Sequence, residues 1–222
     1  MKSKLSSNLF KSAFLCMTLA LTSISAHAFE EGKDYKVLEK PIPNAEKTLI
    51  KVFSYDCPFC YKYDKAVTPK VMEKVGDIVE FKPYHLETKG KYGPQASELF
   101  AVLIVKDEAN KVPLLSDKSE FKKAKFAYYN AYHDKKERWD GGAEDFLKTG
   151  LDAVGMSKAD FEKALQDPQV KTLIKTWQDA SYDVAKIQGV PGFVVNGKYL
   201  VYTKSIKSID GFADLVRELA AK

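Results

Sequence analysis

The chain has 222 residues, 45% of them hydrophobic and 29% charged, with a formal net charge of +5. That hydrophobic share excludes a disordered polymer and permits a sizeable buried core. Its lysines and arginines form no dense block, which argues against a nucleic-acid-binding surface.

The N-terminus reads as an address. Lys2, Lys4 and Lys11 make a positive start, residues 12–24 form a short apolar run, and Ala26-His27-Ala28 supplies a small-x-small cleavage pattern. A membrane-spanning helix needs about 20 apolar residues; this run is shorter and is broken by Ser and Thr. Residues 1–28 are therefore expected to be a signal peptide cut after Ala28. The leader's three lysines leave with it, so the net charge falls to +2, and Cys16 leaves too.

Residues 29–46 are a polar lead punctuated by prolines. Residues 48–54 (TLIKVFS) are β-branched and aromatic, which predicts a buried strand. Residues 61–75 show helical spacing, with Pro69 predicting a kink. Residues 78–85 predict a second strand, Pro83 marking its end or a sheet edge. From residue 88 to 166 the pattern is helical, with helices expected at 95–106, 121–132, 143–153 and 157–166. A Ser157-x-x-Asp160 cap opens the last of them. A long helix at 170–188 follows, then strands at 192–195 and 198–202 joined by an Asn196-Gly197 turn. Ser208 caps an amphipathic helix at 209–220. β-rich ends around a helical middle predict one α/β domain with an all-helical insertion. Tyr128, Tyr129, Tyr132, Trp139 and Trp177 are expected in the core, and His85 is expected to be structural. Residues 118–125, rich in lysine, are expected to form a solvated helix face.

Two cysteines survive in the mature chain, in Cys57-Pro58-Phe59-Cys60. A bond between them closes too short a loop to restrain the unfolded chain, so it makes a poor staple. Zinc is equally unsuited, because the only other soft ligands, His85 and His133, lack ligand spacing. Redox chemistry fits. The motif sits between a predicted strand and helix, and a cysteine at a helix N-terminus has its thiolate stabilised by unpaired N–H groups and the helix dipole. Pro58 suits the first helical position. A stabilised Cys57 thiolate makes the Cys57–Cys60 disulfide a good oxidant. No metal and no cofactor beyond that disulfide are expected. Around Pro191, residues 189–192 (GVPG) alone show a tight turn before a hairpin.

The segments 53–61 (FSYDCPFCY), Tyr84-His85 and 189–199 (GVPGFVVNGKY) resemble the DsbA family of periplasmic oxidants along essentially the whole mature chain. Pro58-Phe59 between the cysteines, in place of the usual Pro-His, is similar to the DsbL branch. The resemblance implies a thioredoxin fold from residues 29–87 and 167–222, with an inserted helical domain at 88–166. It implies a cis-proline at Pro191, with Val190 pairing with substrate. It also implies a periplasmic monomer that oxidises exported proteins with free thiols, such as an arylsulfate sulfotransferase. A DsbB-like membrane quinone reductase, DsbI in the DsbL branch, would reoxidise it. Where most of the family carries a buried acid, this sequence has Lys51. A second family acid falls on Asp64, and that acid's usual lysine partner falls at Pro83, beside Lys82. Lys51 has two compatible roles, supporting the Cys57 thiolate and pairing with Asp64. The rival readings are a disulfide isomerase or reductase, and a non-catalytic binding module using the groove at Pro191.

Overall fold

The computed structural model describes residues 29–222; the expected signal peptide, its cleavage site and Cys16 lie outside them. Five strands form one mixed sheet: β1 (Tyr35–Val37), β2 (Thr48–Phe53), β3 (Glu80–His85), β4 (Gly192–Val195) and β5 (Tyr199–Val201), in the order β1-β5-β4-β2-β3. β2 and β3 run parallel, and the other pairs are antiparallel. β2 is buried at all six positions, as a central strand covered on both faces must be. β3 lies at the edge, where Pro83 costs no ladder bond. β1, inside the lead that reads as irregular, forms because Tyr35, Lys36 and Val37 pair with Val201, Leu200 and Tyr199. That long-range pairing has no local signal in three residues.

The predicted kink at Pro69 is a full break. α1 (Pro58–Ala66) ends at Val67, and α2 (Thr68–Val75) begins with Pro69 in its first turn, where a missing N–H is harmless. Helices α3 (Gly93–Ala109), α4 (Glu120–Tyr129), α5 (Ala143–Val154) and α6 (Lys158–Ala164) fill the middle of the chain. α7 (Pro168–Gln188) and α8 (Ile209–Ala220) flank the last two strands. The Ser157 and Ser208 hydroxyls accept from the N–H groups of Asp160 and Gly211, as the capping patterns predict. Asn196 and Gly197 take the left-handed conformation that a two-residue hairpin turn requires.

One face of the sheet packs Leu49, Phe193, Val195 and Val201 against α2 and α8. On the other, Ile50, Val52, Val194 and Leu200 join a larger core running under α7 into the helical region. There Tyr128, Trp139 and Phe146 surround Tyr55, the residue two before Cys57. Of the aromatics expected in the core, Tyr128, Tyr129, Trp139 and Trp177 are buried and Tyr132 is half-buried. No helix among the described residues is long and apolar enough to cross a membrane.

Candidate active site

β2 ends at Phe53, and the chain turns through Ser54–Asp56 so that Cys57 becomes the N-cap of α1 with Pro58 in the first turn. Both cysteines are free thiols. The Cys57 sulfur accepts from the Cys60 backbone N–H at 3.1 Å, one of the donors a helix start leaves unpaired. Cys57 keeps 3% exposure and Cys60 none, so an incoming thiolate meets Cys57 first. Hydrogen bonds from the Cys60 thiol and N–H hold the Cys57 thiol below its ordinary range, with help from Lys89 and Lys51 against the opposing effect of burial. Burial and the neighbouring Cys57 push Cys60 well up. The two sulfurs are thus unequal: ionisation is made easier at Cys57 and harder at Cys60.

The Val190–Pro191 peptide bond is cis, and the Val190 carbonyl accepts from the Cys57 thiol at 3.3 Å. Residues 133 positions apart are brought together because β4, which follows this turn, pairs antiparallel with β2. Val52 stands opposite Gly192 there, and Lys51 opposite Phe193.

Beneath Cys60 the side chains of Lys51 and Asp64 meet at 2.8 Å, 1% and 2% exposed. Lys51 Nζ also donates to the Cys60 carbonyl and to Thr68 Oγ1, each at 3.4 Å. Lys82 takes no part; it pairs with Glu80 and Glu108 at the sheet edge. A second cation does. Lys125 Nζ lies 3.2 Å from the same Asp64 oxygen, and its side chain is only 2% exposed. The solvated face expected at residues 118–125 is therefore wrong for Lys125. α4 turns Phe121, Ala124, Lys125, Tyr128 and Tyr129 inward together, the i, i+3, i+4 spacing of a buried stripe. Tyr129 donates to the other Asp64 oxygen at 2.9 Å. Neither ammonium contact has hydrogen-bond angles at Oδ1, so the pairing there is electrostatic. Burial would push the Asp64 carboxyl up, but Lys125 and Lys51 overcome it and hold the group below the ordinary carboxylate range.

The helical region also supplies residues that sequence reasoning missed. α4 continues into a π-helical turn, Asn130–Asp134. From it His133 reaches the Tyr55 carbonyl at 3.0 Å, and Asp134 accepts from the Tyr61 hydroxyl at 2.8 Å. A carbonyl only accepts, so His133 Nε2 carries the proton. Burial holds His133 below its ordinary range, so it stays neutral at pH 7. These contacts grip the residues two before Cys57 and one after Cys60, and aromatic crowding at 128–132 is the one sequence signal for them.

The rim is different in kind. Phe59 is 60% exposed, with Lys62 Nζ 5.4 Å from its ring centre. Lys89 Nζ lies 3.3 Å from Asp56, and Ser54 Oγ shares its one proton between Asp56 at 3.0 Å and the Lys89 carbonyl at 3.2 Å. Gly90 (φ 89°) passes so close that an added Cβ would sit 2.7 Å from the Tyr55 hydroxyl. A cavity of about 710 Å³ between the 36–44 lead and α7 is lined by neither cysteine. No group of three or more candidate metal ligands is found among the described residues.

Comparisons with known proteins agree with this geometry. A thioredoxin family model matches residues 42–214. The thiol:disulfide interchange protein DsbL of Klebsiella pneumoniae is 69% identical over 218 residues, 97% of each chain. DsbL of Lelliottia amnigena is 65% identical over the full length of both. The crystal structure of DsbL from Salmonella enterica serovar Typhimurium superposes with a TM-score of 0.86 at 70% identity, covering 89% of this chain and all of that one. The chain belongs to the DsbL thiol:disulfide interchange proteins, oxidoreductases built on the thioredoxin fold with a helical insertion.

Proposed function

We propose that the chain is a dithiol oxidase that donates its Cys57–Cys60 disulfide to cysteine pairs of exported proteins in the periplasm, after loss of residues 1–28. The observation that carries this reading is the inequality of the two sulfurs, Cys57 at the helix entrance with its thiolate favoured and Cys60 buried with its thiol favoured. A substrate thiolate attacks the Cys57 sulfur, the Cys57–Cys60 bond breaks, and Cys60 leaves and takes up a proton. A second substrate thiolate then attacks the substrate sulfur of the mixed disulfide. Cys57 leaves as its stabilised thiolate, the substrate disulfide forms, and two electrons remain on the Cys57/Cys60 dithiol.

The Val190 carbonyl beside Cys57 supports a role for Val190 and Pro191 in aligning the substrate backbone as an added strand. Pro58 sets the helix start, Phe59 faces the client, and Lys51 with Asp64 forms the charged floor. Reoxidation falls to a DsbB- or DsbI-like quinone reductase of the inner membrane, and an exported arylsulfate sulfotransferase is a client suited to so specialised an oxidant.

The test is a Cys60→Ala variant, which cannot complete the exchange. It should accumulate mixed disulfides on Cys57, and gel separation with mass spectrometry should identify client and membrane partner together. A Cys57→Ser variant should form none. Recovery of the wild-type protein from cells with both cysteines mostly reduced would overturn the reading in favour of a reductase or isomerase.

A further inference from the structure

A chain of hydrogen bonds connects one π-helical turn to the backbone of Cys57. The Cys57 N–H donates to the Ser54 carbonyl, and the Cys57 carbonyl accepts from the Tyr61 N–H, each at 3.2 Å. Both main-chain groups of Cys57 are thus committed, one to the turn that contains Tyr55 and the other to Tyr61. Those two residues are the ones that the turn Asn130–Asp134 grips. His133 donates to the Tyr55 carbonyl at 3.0 Å, and the Tyr61 hydroxyl donates to Asp134 at 2.8 Å. The His133 ring also stacks on the Tyr61 ring, 5.7 Å between centres and 23° between planes, which ties the two contacts into one clamp. Neither bond is local: they span 78 and 73 residues, crossing from the helical insertion to the dithiol segment. π-Helical turns are rare and recur at functional sites.

Closing of the dithiol is the step that such a clamp serves. During reoxidation the Cys57 thiolate attacks a partner disulfide, bonding to one partner sulfur and expelling the other as thiolate. Cys60 then gives its proton to water and attacks the Cys57 sulfur. The Cys57–Cys60 bond forms, the bond from Cys57 to the partner breaks, and the partner sulfur departs with the electron pair as thiolate. Capture is bimolecular and needs only an accessible Cys57. Closing is intramolecular, and its rate follows how often the Cys60 sulfur lies in line with Cys57 at short range. Cys60 is held by burial within α1, with none of its surface exposed. Cys57 is the N-cap, at the very end of the helix, so its placement depends on the two main-chain bonds that the clamp braces.

We propose that His133 and Asp134 are positioning residues for the closing step of reoxidation, bracing Tyr55 and Tyr61 so that Cys57 stays in line with Cys60. The inference rests on the disulfide-donor reading above. It assigns the helical insertion a part in the internal exchange.

The test mixes the reduced mature protein with oxidised glutathione, quenches in acid and separates dithiol, mixed disulfide and disulfide by chromatography. Capture and closing then have separate rate constants. Asp134→Ala and His133→Leu should each slow closing about fivefold or more, while capture stays within about twofold. Asp134→Asn keeps an acceptor for the Tyr61 hydroxyl, and His133→Gln keeps a donor for the Tyr55 carbonyl, so each should recover most of the closing rate. A turn that merely held the helical insertion in place would lower stability without changing the ratio of the two rates. An unchanged ratio in Asp134→Ala and His133→Leu overturns the proposal, and so do conservative variants as slow as the truncated ones. Should Asp134→Ala fail to fold, Tyr61→Phe breaks the same bond from its other end, and a wild-type closing rate there overturns the proposal. Failure of the donor reading itself is distinguishable, since it would show as wild-type protein recovered from cells mostly reduced, whatever ratio the variants give.

Discussion

The dithiol stands between two unlike surroundings, a wet rim and a dry floor. At the rim, Phe59 is 60% exposed and the side chains of the Lys89–Asp56 pair are 40% and 13% exposed. On the floor, Lys51, Asp64, Lys125 and Tyr129 are all buried. Water and salt screen charges at the rim, so the pull of Lys89 on Cys57 depends on ionic strength. On the floor the same charges act through a poorly screening interior and are expensive to leave unmatched. On the proposed function the difference divides the labour: the rim would meet clients, and the buried charges would act on the dithiol alone.

The floor should therefore fail hardest. Asp64→Ala strands two buried ammonium groups and leaves the Tyr129 hydroxyl without its acceptor. Such a loss costs about 3–5 kcal/mol. Urea unfolding of the reduced protein measures it, and a loss below about 1 kcal/mol would place this floor with ordinary surface ion pairs. Acid should attack the dry side next. His85 is fully buried at the end of β3, bonded through Nδ1 to Ser97 at 2.7 Å, and burial depresses it to about 3. The unfolded chain binds a proton at this residue near pH 6.5 while the folded protein does not until about pH 3. Stability thus rises with pH across that window, and a few kcal/mol are lost as pH falls from 6.5 towards 3. Unfolding free energies at pH 7 and pH 4 in wild type and His85→Gln should show a shallower pH slope in the variant. Equal slopes would mean His85 is not the group.

How far the molecule is legible in its sequence follows the same division. The strand at 48–53, the dithiol at a helix start and the Asn196-Gly197 turn are written in local chemistry: β-branching, a proline at the first helical position, a dipeptide that tolerates positive φ. The pairing of Lys51 with Asp64 was readable once both fell near the motif. Lys125 was not, because a lysine within a lysine-rich helix normally faces water. Its burial depends on how α4 docks against α1, which no local pattern encodes. The π-helical turn carrying His133 and Asp134 is hidden for the same reason. Long-range charge matching is the part of this site that folding reveals.

The rim predicts smaller and more selective effects. Phe59→Ala removes an exposed ring beside Cys57, and a client that covers such a ring gains about 1.5–3 kcal/mol from its burial. Oxidation of a client-derived peptide with two cysteines should slow about tenfold, while the glutathione equilibrium stays within about twofold. A large change in that equilibrium with no change in client rate would invert the division of labour.

Lys89→Met is the finest probe of the contrast. Lys89 offsets Asp56, the acid next to Cys57, and Ser54 ties the two together through its hydroxyl. Removing the ammonium frees the Asp56 charge, so Cys57 should ionise at higher pH. Lys51→Met, which removes the buried cation that also lowers Cys57, should shift it in the same direction, but the two differ in screening. Lys89 is 40% exposed, so its shift should fade as salt approaches about 1 M, where the screening length is near 3 Å. The Lys51→Met shift should survive that salt, because no mobile ion reaches a side chain 1% exposed. A salt titration of Cys57 ionisation in the two variants therefore separates rim from floor directly. If both shifts vanish together, the floor is wetter than its burial implies.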